Sequence, residues 1–390
     1  MTATQQFIQE HLHENTDRLL LNASHYPAID VPAAVDQILI RRQIKTKLPS
    51  WYANEEVCFP ARITGEQCSS ERTALYKQRL VHDTDTVCDL TGGLGVDTLA
   101  FAQVAKKVIY IERYESYCEI ARHNFKVWGA NTVEVMQGES MNCLDRLPAV
   151  EVFYVDPARR GDQAQRVYAL ADCEPNLPPN LPGLMAKASF LIAKLSPMID
   201  ITRSLALLPH TKEVHILSVK NECKEVLFVV GHAEVVPQII CVNLQSNDVE
   251  EGFVFEWGDE QKAVITPTSE VGAYLFEPNA SVLKAGAFKS VASRFDCLPL
   301  HVSSHLYTAN EVRKDFPGRH FKVQAVIPFK GKNRKQLGRD FPKANITIRN
   351  FPLSVAELRR KTKIKEGGED YLFATTLANE EKVIIHALKC

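Results

Sequence analysis

No two of the ten cysteines stand close enough to make a CxxC pair. Disulfide frameworks belong to short secreted chains and structural zinc sites to closely paired ligands, so neither is indicated, and reduced, mostly buried thiols are expected. His301 and His305 are four apart, as two ligands on one helix face would be, but no glutamate follows His301 as HExxH requires, so no metal is expected. Neither a GxSxG elbow nor a P-loop lysine motif occurs. No apolar run approaches the roughly 20 residues that cross a bilayer, and the start, MTATQQFIQEHLHENTD, has neither a basic segment nor an apolar one. A cytoplasmic protein without membrane contact is the expectation. Internal repeats and low-complexity segments are also missing. A net charge of −1 says nothing by itself about a polyanionic partner.

What is present is enough chain for two or three domains, 390 residues of average globular composition. Residues 1–82 read as a helical module. Apolar residues recur at helical spacing over Thr4 to Leu21, Val31 to Ile44 has Pro32 at its first turn, and Ser69 or Ser70 can cap a helix that follows. From Asp85 short apolar strands alternate with helices: Thr86–Leu90, Lys107–Glu112, Val133–Met136, Glu151–Val155, Ser189–Leu195 and Glu213–Val219. That alternation predicts a parallel, doubly wound sheet. Val226–Val230 follows Val219 too soon for a helical crossover, so it is expected to pair antiparallel. Beyond about residue 235, strands at Ile239–Asn243, Phe253–Trp257 and Ala263–Ile265, with Gly258-Asp259 as the last turn, open one or two small α+β modules.

The chemistry concentrates after the first strand. In Asp89-Leu90-Thr91-Gly92-Gly93-Leu94-Gly95-Val96-Asp97-Thr98 a buried strand runs into a glycine loop that opens a helix, where backbone turns tightly and offers amides to a ligand. Glu112, 17 residues after Gly95, ends the next strand, where a carboxylate can accept both hydroxyls of a ribose. A dinucleotide loop reads GxGxxG, but Thr98 stands at the third glycine and Asp89 sits just before the loop. A carboxylate there repels a pyrophosphate and suits a cationic ammonium, which favours S-adenosylmethionine over NAD.

These residues resemble the motifs of class I S-adenosylmethionine-dependent methyltransferases. Asp89 to Gly95 is similar to the first motif, Glu112 to the second, Gly138-Glu139-Ser140 to the adenine-side motif and Asp156-Pro157-Ala158-Arg159 to the fourth. The resemblance implies an α/β, Rossmann-like seven-stranded sheet with S-adenosylmethionine held by Asp89, Thr91, Gly92, Gly93, Gly95, Asp97, Thr98, Glu112, Arg113, Glu139, Ser140 and Asp156. It places Asp89 and Gly93 at the methionine part, Glu112 at the ribose, Glu139 at the adenine amine and Asp156 beside the methyl donor. The fourth motif resembles the Asp-Pro-Pro-aromatic signature of amino-directed nucleic-acid methyltransferases, with Ala158 for the second proline and Arg159 for the aromatic. Asp156, Pro157 and Arg159 are therefore the catalytic candidates, and no cysteine in the motif supports a covalent route.

The charge is uneven. From Lys330 to Lys365 twelve basic residues face two acids, Asp340 and Glu357, and the run is interleaved with Phe329, Phe341 and Phe351. That is the composition of a nucleic-acid platform. Phe351 to Lys361 and Gly367 to Thr375 resemble a THUMP-like carboxyl-terminal domain, and the preceding stretch resembles a small ferredoxin-like insert. The expected division is a helical module at 1–82, the methyltransferase domain at 83–232, a ferredoxin-like α+β domain at 233–310 and a THUMP-like basic domain at 311–390. The resemblance implies an RNA substrate, ribosomal or transfer, gripped by Arg159, Arg160, Lys332, Arg334, Lys335, Arg359, Arg360 and Lys361. An NAD-dependent oxidoreductase, or an RNA-binding protein with an inactive methyltransferase domain, are the alternatives.

Overall fold

The computed structural model describes residues 2–60, 68–159, 170–246 and 249–390. They form two compact units, residues 1–212 with 226–235, and residues 213–225 with 236–390.

The first unit opens with α1 (Ala3–Glu10), α2 (Thr16–Leu21), α3 (Val31–Ile44), α4 (Pro49–Ala53) and α5 (Glu71–Lys77). The helical pattern over Thr4 to Leu21 is not one helix. Asn15 accepts the Arg18 amide and starts a second helix, because its side chain satisfies an amide that would otherwise lack a partner. Asp30 caps α3 with Pro32 in its first turn, and α3 buries Val31, Ala34, Val35 and Ile38 against Phe7, Ile8, Leu12 and Leu19. Ser70 caps α5 through the Thr73 amide at 3.2 Å. Replacing it with alanine is expected to lower the melting temperature through a loss of about 1 kcal/mol.

Next come β1 (Thr86–Asp89), α6 (Val96–Ala102), β2 (Lys107–Glu112), α7 (Glu115–Val127), β3 (Val133–Gln137), β4 (Val150–Val155) and β5 (Ala188–Leu195). The strand order is β3-β2-β1-β4-β5, all parallel. β7 (Glu222–Val230) lies antiparallel to β5, pairing Val226 to Val230 with Leu195 to Leu191, as its short connection predicts. β6 (Thr211–Val219) precedes β7 in the chain. Strands covered on both faces must be apolar throughout, and Val152 to Val155 are all buried.

In the second unit, Lys220 and Asn221 both adopt positive φ, 52° and 63°, in the two-residue hairpin turn. β8 (Gln238–Leu244) pairs parallel with β6, and β9 (Glu250–Glu256) antiparallel with β8. Ala263 to Ile265 are not a strand, because Gly258, at φ 106°, starts a short helix, Asp259–Lys262. A separate sheet holds β10 (Tyr274–Pro278), β11 (Tyr307–Ala309), β12 (Gly318–Pro328), β13 (Asn345–Arg349), β14 (Asp370–Thr376) and β15 (Lys382–Lys389). Its order is β11-β10-β12-β15-β14-β13, with Leu298–Pro299 beyond β11, and only β13 and β14 run parallel. One group of buried side chains centres on Phe321, Phe373 and Ile385. Another includes Leu337 from α8 (Gly331–Asp340) and Leu358 from α9 (Val355–Thr362), with Leu372 and Ile384. The sequence pattern did not reveal α8, since two glycines and a run of charges leave Leu337 as its one buried anchor among the described residues. Among the described residues no helix is long and apolar enough to cross a membrane.

Candidate functional site

β1 delivers Asp89 to the carboxyl end of the sheet, where ligands of open α/β folds bind. Its carboxylate is buried and accepts from the Thr91 amide at 3.0 Å and the Thr98 hydroxyl at 2.6 Å. Burial pushes its pKa up to about 7, against the opposing pull of those two hydrogen bonds. The chain then turns through Gly93 (φ 53°) and Gly95 (φ 82°), the latter capping α6 in the left-handed region that glycine tolerates. Gly92 is needed for a different reason: a Cβ there would lie 2.2 Å from the Tyr110 ring, whose hydroxyl donates to the Gly93 carbonyl at 2.6 Å. Gly92→Ala is therefore expected to destabilise the protein by about 1–3 kcal/mol. Thermal unfolding checks this, and an unchanged midpoint would refute the packing argument.

β2 brings Glu112 to the same loop. Its Oε2 accepts from the Gly93 amide at 3.1 Å and its Oε1 from the Tyr114 amide at 3.0 Å, so the second strand tip is tied to the glycine turn of the first. β3 leads to Glu139 and Ser140, which open a short helix. The Asp156 amide after β4 donates to the Thr91 hydroxyl at 2.7 Å. These four strand ends enclose a cavity of about 400 Å³ lined by Asp89, Thr91, Gly92, Gly93, Gly95, Asp97, Glu112, Arg113, Glu139, Ser140 and Asp156. Thr98 lies beneath and acts through Asp89. Arg113 pairs with Glu174 at 3.4 Å and lies over the Tyr114 ring.

A buried polar network supports this floor, and sequence reasoning missed most of it. The Lys77 ammonium, fully buried, meets Asp97 Oδ1 at 2.9 Å and the Ser69 hydroxyl at 2.8 Å. Asp97 Oδ2 accepts from Ser69 and from the Tyr154 hydroxyl, both at 2.7 Å. Lys194 Nζ stands 2.5 Å from Asp156 Oδ2 and 3.3 Å from the Ser69 hydroxyl. Burial alone would raise the Asp97 pKa, but Lys77 and Lys194 hold it below the ordinary carboxylate value. Asp156 remains raised, because burial outweighs Lys194 there. Lys77 carried no signal, one lysine in an amphipathic helix. Lys194 did, as a charge inside the apolar strand Leu191-Ile192-Ala193-Lys194-Leu195.

Other candidates are dispersed. Pro157 is buried, and Arg159 lies on a two-residue strand, Ala158–Arg159, paired with Cys173–Glu174. The Arg159 side chain, all of Arg160, and the side chains of Lys332, Arg334 and Lys335 on α8 lie outside the described residues. Arg360 and Lys361 are exposed, whereas Arg359 donates to the Ile364 and Ala344 carbonyls. His301 and His305 do not share a helix face: His301 meets Glu380 and Asn350, and His305 stacks on Phe288.

Two family models match the second unit, a ferredoxin-like domain at residues 274–317 and a THUMP domain-like family at residues 318–389. A crystal structure from Porphyromonas gingivalis W83, of a protein provisionally designated a methyltransferase, is 37% identical, with a TM-score of 0.92, over 100% of this chain and 98% of its own. An uncharacterised protein of Methanocaldococcus jannaschii is 30% identical over 101 residues, 25% of this chain and 35% of its own, so the chain spans about a third of that relative. A ribosomal RNA methylase from Streptococcus thermophilus is 11% identical over 42% of this chain and 95% of its own, with a TM-score of 0.31, and carries no argument at that level.

Proposed function

We propose that this chain, which belongs to the methyltransferase family of the Porphyromonas gingivalis protein, transfers a methyl group from S-adenosylmethionine to RNA. The observation that carries the cofactor reading is the pair of consecutive strand-tip carboxylates, Asp89 and Glu112, lining one cavity over the Gly92–Gly95 turn. The sign of the cavity fits. Among the described residues, Asp89, Asp97, Glu112, Glu139, Asp156 and Glu174 line it against one arginine, Arg113, which suits a ligand with an ammonium and a sulfonium and opposes a pyrophosphate. Asp89 would face the ammonium, Glu112 the ribose hydroxyls and Glu139 the adenine side.

When bound, the cofactor supplies a methyl group on a positive sulfur, and the C–S electron pair stays on sulfur as the methyl leaves. The protein's part is positioning, with Asp156 at the cavity edge to orient a substrate amine and accept the proton that the methylated nitrogen gives up. Calorimetry with S-adenosylhomocysteine, and transfer of a labelled methyl group into total RNA from cells lacking the protein, test the two halves. No heat of binding would sink the cofactor; label entering protein or small molecules instead would sink the RNA.

Asp89 gives the binding a pH signature. Its pKa of about 7 means the empty pocket is protonated below neutrality, whereas an ammonium requires the carboxylate. Affinity for S-adenosylhomocysteine is therefore expected to rise with pH, by up to about tenfold per unit, and to level above about pH 7. An affinity that is flat or falls over that window would contradict the assignment.

The RNA reading is supported by the THUMP domain-like match and by Arg360, Lys361, Lys363 and Lys365, exposed at the end of α9 and just beyond it. Replacing Arg360 and Lys361 together with alanine is expected to weaken RNA binding across sequences and to flatten its dependence on log salt by about 1–2. Filter binding at several salt concentrations measures it. Such a protein would work in the cytoplasm.

A further inference from the structure

We propose that Lys194 is the positioning residue of this site: its ammonium clamps Asp156 Oδ2 and so presents the other carboxylate oxygen, ionised, to the substrate amine. The inference rests on the methyl-transfer reading and deepens it. Lys194 sits inside β5 with 9% of its side chain exposed, and its ammonium is 2.5 Å from Oδ2. Asp156 is 34% exposed and lines the cavity, and no hydrogen bond reaches its Oδ1 among the described residues. A buried lysine is an unfavourable thing to place in a strand unless its charge is used.

The groups facing this pair come from every element packed around it. Asp97 on α6 lies close enough to raise the Asp156 proton affinity, and Lys77 on α5 to lower it. The Ser69 hydroxyl touches both lysines, Tyr154 on β4 donates to Asp97, and Asp89 lies on the far side of Thr91. Both lysines act on both acids, but the direct contacts differ: Lys77 meets Asp97 at 2.9 Å and Lys194 meets Asp156 at 2.5 Å. When the substrate nitrogen releases its proton after methylation, Asp156 receives it and Lys194 keeps its own. No other group has to change charge.

The test uses the full chain. In protein labelled with ¹³C at aspartate carboxyls, the Asp156 resonance is identified by its absence from Asp156→Asn. Lys194→Met is expected to raise its titration midpoint by about 1–3 pH units, with Lys194→Arg restoring it. An unmoved midpoint overturns the proposal. Should Lys194→Met fail to fold, Asp156→Asn supplies the reciprocal measurement: the Lys194 ammonium, followed by ¹⁵N, must titrate at lower pH than in the wild type, and an unchanged value overturns the pairing. With RNA as acceptor, Lys194→Met should lower kcat with KM for S-adenosylmethionine unchanged, and shift the acid limb of the pH profile upward. An equal loss at every pH that arginine does not rescue means a merely structural lysine. Calorimetry with S-adenosylhomocysteine on the same samples separates the two readings, since failure of wild type to bind sinks the cofactor while the titrations still judge the clamp.

Discussion

Lys77→Met is expected to destabilise the protein by about 3–5 kcal/mol, a fall of about 10 °C or more in melting temperature. The methionine would fill the space, so the loss is electrostatic. Asp97 would stay buried in the cavity wall with its main cation gone, keeping the Ser69 and Tyr154 hydroxyls as donors. A buried pair contributes little net stability as a pair, because desolvation offsets attraction, but removing one partner leaves an uncompensated charge. The double variant Lys77→Met with Asp97→Leu should therefore recover a large part of the loss. A single variant as stable as wild type would show that Lys194 alone neutralises Asp97. Equal loss in single and double variants would show that shape, not charge, is what Lys77 supplies.

Asp156→Asn should leave the fold and S-adenosylhomocysteine affinity within a few-fold of wild type and lower methyl transfer by about 10²–10⁴-fold. Asparagine keeps the shape and can still accept a hydrogen bond from an amine, but it cannot take the proton, and it presents no charge to Lys194. Single-turnover transfer from labelled cofactor separates this from a binding defect. A variant retaining most of its rate would move the proton acceptor elsewhere and leave Asp156 a structural partner of Lys194.

The two kinds of experiment probe two ion pairs of one site. Asp97 and Asp156 both line the cavity, and behind them stand the buried ammonium groups of Lys77 and Lys194. Ser69 touches both lysines, so the two ion pairs share one hydroxyl. Variants of Ser69 should show both effects, each smaller than in the lysine variants.

Much of this fold is legible in the residues. Strands covered on both faces have to be apolar runs, so β1, β2, β4 and β5 announce themselves, and a connection too short for a helix dictates the antiparallel β7. The glycine loop is equally local, since Gly93 and Gly95 answer a demand for positive φ that only their own neighbours impose. Weaker signals failed where a single side chain decided the outcome. Asn15 splits an apparent helix by capping a new one, Gly258 opens a short helix where a turn was expected and Ala263–Ile265 form no strand after it, and α8 hides behind its charges. The basic tail reads as one positive run, yet Arg359 spends its guanidinium on main-chain carbonyls while Arg360 and Lys361 face solvent.

By itself, the sequence determined the alternation of strands and helices, the place of the glycine turn, and the acids at the strand tips. Each follows from hydrophobic period, backbone conformation or position along a strand, and so is written within a dozen residues. Only the tertiary structure decided that Glu112 would be tied to Gly93, that Lys77 would neutralise Asp97, and that Lys194 would answer Asp156. Those pairings lie beyond local reach, Gly93 and Glu112 being 19 apart and the linking contact of Ser69 with Lys194 spanning 125, and what selects the charged ones is the cost of an unmatched charge away from water. That cost does not exist until the core has closed, so no local pattern can announce it.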